Sequence, residues 1–189
     1  MVTLSSLQCQ KLERLFNAIS NNGGKSVTVA DFLEMTQRLA EIRGMRTSDP
    51  PYQRMFDVQA AWWDKLRRFA GVDYHGQVSS DQWLGFWSQW VGAIVSEEQF
   101  SHRPAFNSLK EAGEVTFDLI DTNADGRVNS GELADWFKAM KNSGDLGEAF
   151  AHMDLDRDGY IGRDEGVALV MEFYLSADPE SPGNFLLGL

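Results

Sequence analysis

The sequence contains little cysteine, little proline and no long apolar run, and each shortage excludes a class of protein. Its single cysteine, Cys9, cannot form an internal disulfide, so a disulfide-stapled secreted fold is excluded and the cytoplasm is the expected compartment. Only five prolines and no low-complexity tract argue against extensive disorder. No apolar run approaches the length of about 18 residues that a transmembrane helix needs. We also expect no secretory signal, because the first residues lack a basic segment followed by an apolar one.

Basic residues are scarce relative to acidic ones. The chain has 17 lysines and arginines against 28 aspartates and glutamates, which gives a net charge of −11. This charge disfavours nucleic acid and anionic membrane surfaces as partners. The three histidines, at 75, 102 and 152, are scattered, and no serine or cysteine partner can be placed beside them. A catalytic set needs mutual geometry, so we expect a protein that is not an enzyme.

Two segments in the C-terminal half carry acidic residues in a fixed pattern. They read DTNADGRVNSGE at 121–132 (loop 3) and DLDRDGYIGRDE at 154–165 (loop 4). Each has oxygen-bearing side chains at positions 1, 3 and 5, glycine at position 6, an aliphatic residue at position 8 and glutamate at position 12. This is the EF-hand pattern, in which glycine permits a sharp bend and the glutamate can give calcium two oxygens. Two such segments predict two calcium sites.

The pattern assigns a role to each ligand position. In loop 3, side-chain oxygens are expected from Asp121, Asn123, Asp125 and Glu132, a backbone carbonyl from Arg127, and direct or water-mediated contact from Asn129. In loop 4, side-chain oxygens are expected from Asp154, Asp156, Asp158 and Glu165 and a backbone carbonyl from Tyr160, while Gly162 leaves room for a water. Loop 4 has the extra carboxylate, so we expect it to bind calcium more tightly. Magnesium can occupy the same oxygens at rest.

The two loops belong to a fourfold repeat. SNNGGKSVTVAD at 20–31 (loop 1) and GVDYHGQVSSDQ at 71–82 (loop 2) keep an aliphatic residue at position 8, Val27 and Val78. They lose the ligands, because loop 1 keeps a single carboxylate and loop 2 begins with glycine and ends with the neutral Gln82. We predict that neither binds calcium. Each still completes a pair of hands, with short antiparallel bridges expected between positions 27 and 78 and between positions 128 and 161.

Hydrophobic periodicity around the loops predicts eight helices. They are expected near 4–19, 29–44, 52–70, 80–96, 104–120, 130–142, 146–153 and 163–176. Pro50 and Pro51 are expected in an extended connector. With segment 97–104 as the joint, residues 1–98 form an N-terminal EF-hand pair with degenerate loops. Residues 99–189 form a C-terminal pair with two calcium loops and a closing tail. The fold class is therefore all-α.

This arrangement resembles the sarcoplasmic calcium-binding proteins, to which calexcitin, the luciferin-binding proteins and the photoproteins are related. The loop starts at 20, 71, 121 and 154 match that family's wide spacing between hands one to three and tight spacing between hands three and four. WWDKLRRFAG followed by QVSSDQWLGFW resembles the second hand of calexcitin, and ADPESPGNFLLGL resembles the family's closing segment. The resemblance implies a compact all-α fold whose two hand pairs face each other, with the tail packed on the body. It also implies calcium buffering or signalling rather than catalysis.

Three functions stay open. Six tryptophans, twelve phenylalanines and four tyrosines outnumber seven methionines, which favours a permanently filled core and an intracellular calcium buffer or signal modulator. The first alternative is a calcium sensor that exposes an apolar surface to a protein partner. The second is a carrier of a small apolar ligand, as in the luciferin-binding relatives, lined by Trp83, Phe86, Trp87 and Trp90. We expect a monomer in each case.

Overall fold

The computed structural model describes residues 3–98 and 101–187, and most of these residues are helical. In chain order the helices are α1 (Ser6–Ile19), α2 (Val29–Ile42), α3 (Pro50–Ala70), α4 (Ser80–Ser96), α5 (Pro104–Ile120), α6 (Ser130–Ala139), α7 (Leu146–Met153) and α8 (Arg163–Leu175). The strands are β1 (Ser26–Val27), β2 (Val78–Ser79), β3 (Arg127–Val128) and β4 (Ile161–Gly162), and a 3₁₀ helix, Pro182–Leu187, forms the tail. The all-α prediction is confirmed. No helix in the described residues is both long and apolar enough to span a membrane.

Capping residues explain where several helices begin. Ser5, Thr28 and Ser79 each form a capping box, in which the cap side chain and the side chain three residues later bind one another's backbone amides. Asn129 does the same for α6. In three of the four hands, the residue at position 9 of the loop is therefore also the start signal of the exiting helix.

The prediction of an extended connector at Pro50 and Pro51 is wrong. Helix α3 begins at Pro50, directly after a turn that ends at Asp49. The first N–H groups of a helix have no intrahelical partner, so proline loses nothing there, and its fixed φ already suits the helix. The rule that disfavours helix before proline still holds, because Asp49 itself is extended.

Two short bridges join the hands in pairs, as predicted. In the first bridge β1 pairs antiparallel with β2, with Val27 opposite Val78. In the second, β3 pairs with β4, with Val128 opposite Ile161. All four of these side chains are buried, so each bridge closes the loop end of a core that its two hands share.

The two pairs of hands face each other across one continuous apolar core. Trp87 of α4 stacks on Tyr174 of α8, with ring centroids 4.4 Å apart and planes at 21°. The Glu97 carboxylate accepts hydrogen bonds from the amides of Ala105 and Phe106, so residues before the joint cap the first turn of α5. The division at residues 98 and 99 stays a prediction, and residues 99 and 100 of the joint lie outside the described residues.

The tail packs on the body. Leu186 and Leu187 are buried, and the indole N–H of Trp136 donates to the Leu186 carbonyl at 3.1 Å. The wholly buried Lys11 ammonium of α1 donates to the Ser176 carbonyl at 2.9 Å and to Asn184 Oδ1 at 3.0 Å. Lys11 therefore joins the first helix, the end of α8 and the tail.

Candidate calcium sites

Loop 4 brings three of its predicted ligands together. Carboxylate oxygens of Asp154, Asp156 and Asp158 all lie within 4.8 Å of one another. The amide of Asp158 donates to Asp154 Oδ1 at 3.2 Å and to Asp156 Oδ1 at 3.1 Å, which turns both carboxylates toward the loop centre. Gly159 makes the turn with a φ of +89°, a conformation that favours glycine. The donor set is all oxygen, as a hard divalent cation requires.

Loop 3 repeats this backbone arrangement. The buried Asp121 carboxylate accepts from the amide of Asp125 at 3.2 Å and from that of Gly126 at 2.9 Å. Asn123 Oδ1 accepts from the Asp125 amide at 2.8 Å. Positions 1 and 3 are therefore oriented by the same amides as in loop 4. The residues at position 7 of the two loops also meet, because the Arg127 guanidinium lies 5.2 Å from the centre of the Tyr160 ring.

The glutamates at position 12 join the two ends of each loop. Glu132 accepts from the amide of Thr122 at 2.9 Å through Oε1 and from that of Asn129 at 3.0 Å through Oε2. Glu165 accepts in the same way from the amides of residue 155 at 3.1 Å and residue 162 at 2.7 Å. The carboxylate that EF-hand logic assigns to two calcium bonds therefore stands beside its loop, and its bonds hold the loop closed.

Loop 1 fills its own centre with hydrogen bonds. The Ser20 hydroxyl at position 1 lies 3.0 Å from the carbonyl oxygen of Ser26, the atom that would face an ion from position 7. Position 5 is occupied by Gly24, whose φ of +77° disfavours any residue with a side chain, and Asn17 Oδ1 fills the space that a Cβ would take there. Asp31 accepts from two backbone amides, at 2.9 Å and 2.8 Å. Glu132 and Glu165 accept the same two bonds in loops 3 and 4, so the prediction that loop 1 binds no calcium continues to rest on its missing carboxylates.

Loop 2 lacks ligands for a different reason. Gly71 adopts a left-handed conformation, with φ 69°, and ends α3 where a ligand side chain would otherwise begin the loop. Gln82, at position 12, has a neutral side chain, and its amide nitrogen donates to the carbonyl of Ala70 at the end of α3, at 3.1 Å. The indole N–H of Trp63 binds the Tyr74 carbonyl at 3.1 Å, so the loop is anchored to the core without a metal.

One group beside loop 3 gives no signal in the sequence. The Arg43 guanidinium, from the end of α2, donates to the carbonyl oxygens of Asp121 at 2.7 Å and Thr122 at 3.2 Å, and also to that of Asp118. Burial lowers the pKa of Arg43, while the charges of Asp121, Asp118 and Glu132 oppose that shift. A guanidinium is so strong a base that Arg43 stays charged despite this shift. The contact joins residues far apart in sequence, so periodicity and spacing cannot predict it.

Carboxylates occupy four ligand positions of loop 4 and three of loop 3, an all-oxygen donor set of the kind with which EF-hand proteins hold divalent cations. The EF-hand family model matches residues 114–138 and 146–165, which contain both loops. Over 174 residues the chain is 25% identical to calerythrin of Saccharopolyspora erythraea, covering 90% of this chain and 93% of calerythrin. Over 177 residues it is 24% identical to obelin of Obelia longissima, covering 90% and 85%.

Solved structures give the same fold. The sarcoplasmic calcium-binding protein from amphioxus superposes with a TM-score of 0.71 at 20% identity, over 99% of both chains. The chain is thus an EF-hand calcium-binding protein. It is similar in sequence to calerythrin and to the photoprotein obelin, and it shares the fold of the amphioxus sarcoplasmic calcium-binding protein, which confirms the resemblance seen in the sequence.

Proposed function

We propose that this protein is a calcium buffer that binds two ions, one in loop 3 and one in loop 4. The observation that carries the proposal is the convergence of Asp154, Asp156 and Asp158 within 4.8 Å, with loop 3 built on the same amide contacts. Three like charges at this spacing repel one another, and a divalent cation offsets that repulsion. The carboxylates of the two loops coordinate calcium when its concentration rises. Magnesium occupies the same oxygens when calcium is low.

The ligand roles follow from the loop positions. We propose side-chain ligation by Asp121, Asn123, Asp125 and Glu132 in loop 3 and by Asp154, Asp156, Asp158 and Glu165 in loop 4. Arg127 and Tyr160 contribute carbonyls at position 7, beside the bridge between β3 and β4. Because carboxylates occupy four ligand positions in loop 4 and three in loop 3, loop 4 is the tighter site.

The closed core favours a buffer over a sensor. A sensor opens on calcium binding and exposes an apolar groove. Here the tail already covers the C-terminal pair through Leu186 and Leu187, and the Trp87–Tyr174 stack joins the pairs to each other. Opening would expose these side chains and break the hydrogen bond from Trp136 to the tail. Such a molecule takes up calcium without presenting a new surface.

Calorimetric titration of metal-free protein tests the proposal. The wild-type protein should take up two calcium ions, and Glu132→Gln and Glu165→Gln should each weaken one site, with the larger loss of affinity in Glu165→Gln. Asp31→Asn is the matched control, since it changes position 12 of loop 1 and should leave the ion count at two. Uptake of no calcium at millimolar supply refutes the function. A calcium-dependent rise in the fluorescence of a hydrophobic dye would identify a sensor.

A small cavity supports a second candidate, a carrier of an apolar ligand. The cavity lies between the facing halves, is lined by Trp83, Phe86 and Trp87 but not Trp90, and has a volume of about 90 Å³. The indole N–H of Trp87 is buried without a partner among the described residues, and burial raises the pKa of the nearby Tyr174 hydroxyl. Pockets for drug-sized ligands have volumes of about 300–1,000 Å³, so the closed form is too small for one. Organic extraction of purified protein and mass spectrometry would reveal a carried molecule.

We further propose that the protein works as a monomer in the cytoplasm and has no enzymatic activity. The apolar core is complete within one chain, and Cys9 is free and half-buried, which suits a reducing compartment. Light scattering after size-exclusion chromatography, with and without calcium, would reveal any dimer.

A further inference from the structure

Arg43 belongs to the N-terminal pair, yet its guanidinium ends in the C-terminal pair. It follows α2, the exiting helix of hand 1, and binds the carbonyls of Asp118, Asp121 and Thr122. The Asp118 carbonyl lies in the last turn of α5, where helix carbonyls have no intrahelical partner. The other two carbonyls belong to positions 1 and 2 of loop 3. Arg43 therefore fixes the point at which helix becomes loop.

The backbone conformation at this point determines the direction of the Asp121 side chain, a predicted calcium ligand. The peptide whose carbonyl Arg43 holds belongs to Asp121, and the Asp121 carboxylate is the buried ligand of loop 3. With its backbone fixed at φ −67° and ψ 84°, the side chain is directed at the amides of Asp125 and Gly126. Loop 3, which has fewer ligand carboxylates than loop 4, therefore receives support from outside its own pair of hands.

The contact has a reciprocal partner. Lys141, which follows α6, donates to the Ser20 carbonyl at 3.4 Å and to Asn21 Oδ1 at 3.2 Å. Ser20 occupies position 1 of loop 1. Arg43, after α2, therefore binds the position-1 carbonyl of loop 3, and Lys141, after α6, binds the position-1 carbonyl of loop 1. Hands 1 and 3 are connected by both contacts.

We propose that Arg43 is a positioning residue for loop 3, through which the calcium-free hand 1 raises the calcium affinity of hand 3. The proposal rests on loop 3 being a calcium site. A nearby positive charge by itself would repel the ion, but the guanidinium donates to backbone carbonyls and not to the ligand carboxylates. Its bonds order the metal-free loop in the geometry that binding requires, so less ordering remains to be done when the ion arrives.

Calcium affinity of loop 3 tests the proposal when measured in a Glu165→Gln background, where loop 4 is disabled. Residues that orient metal ligands typically change affinity about 10- to 100-fold, so Arg43→Gln should weaken calcium binding by that factor. The matched control is Arg54→Gln, which removes the same charge beside α5 but whose ion pairs, among the described residues, are with the side chains of Asp118 and Glu114. In the Arg54→Gln protein, the calcium affinity of loop 3 should change less than about fivefold, because an exposed ion pair contributes little. Equal or tighter binding by Arg43→Gln overturns the proposal.

Hydrogen exchange of the metal-free protein supplies a readout that does not need calcium. Amides of residues 121–128 should exchange faster in Arg43→Gln than in wild type or Arg54→Gln, and unchanged exchange overturns the proposal. If loop 3 takes up no calcium in any variant, the proposal of two calcium sites fails, while the exchange comparison still decides whether Arg43 orders loop 3. Should Arg43→Gln not fold, Arg43→Lys carries the same test, because it keeps the charge but loses the planar fork of donors.

Discussion

The tail fits against α8 only because residue 183 has no side chain. A Cβ on Gly183 would lie 2.5 Å from the Cβ of Glu172, 2.6 Å from the Leu169 carbonyl oxygen and 2.8 Å from the Phe173 amide nitrogen. Two of these three atoms are helix backbone and cannot rotate away. The backbone conformation at Gly183 does not itself require glycine, so the effect of Gly183→Ala isolates this close approach.

Gly183→Ala should therefore lift the tail and destabilise the protein. Forcing extra atoms into a packed contact costs about 1–3 kcal/mol. For a chain of this size about 1 kcal/mol corresponds to a Tm change of roughly 2–4 °C, so Tm should fall by roughly 2–12 °C. Thermal denaturation followed by circular dichroism gives this value. The fluorescence of Trp136 should change as well, since its indole donates to the Leu186 carbonyl of the tail.

Gly147→Ala is the control for the tail prediction. Its Cβ would meet Asp145 Oδ1 at 3.4 Å, an ordinary contact, and it lies in helix α7, where alanine is favoured over glycine. Its Tm should be unchanged or higher. A Gly183→Ala protein as stable as wild type would show that the tail does not depend on this contact.

Three further results are expected. Burial lowers the pKa of Lys11 to about 8, whereas the unfolded chain holds it near 10.5, so the unfolded state binds more protons between these values. The free energy of unfolding of wild type, relative to Lys11→Met, should therefore rise from pH 8 to 10.5 in urea titrations; a flat difference contradicts the burial argument. Chelation should lower Tm by emptying loops 3 and 4, as calorimetry with and without calcium would show, and equal midpoints would count against linkage. Gly24→Asp should create no third site, because the φ of +77° at this position disfavours a side chain and loop 1 would still have only two carboxylates, and a titration that counts three ions would refute this.

Features set by local spacing could be predicted from the sequence. The eight helices and the pairing of Val27 with Val78 follow from apolar periodicity and from position 8 of each loop. The start of α3 was not predicted because two rules on proline compete. Proline disfavours a helical residue before it, but it is favoured in the first turn of a helix, and the second rule applies at Pro50. The role of Arg43 could not be predicted, since its partners lie at least 75 residues away in the sequence. They are backbone carbonyls, which every residue has, so the residue types at those positions do not reveal the contact.

The hydrogen bonds that occupy loop 1 have a consequence for the protein at low calcium. Because Ser20 and Asp31 satisfy the loop from within, hand 1 has no charge repulsion to relieve and needs no ion to keep its shape. If loops 3 and 4 bind calcium as proposed, we expect hand 1 to keep the same shape with and without the ion and to serve as a constant packing partner for hand 3 through Arg43 and Lys141.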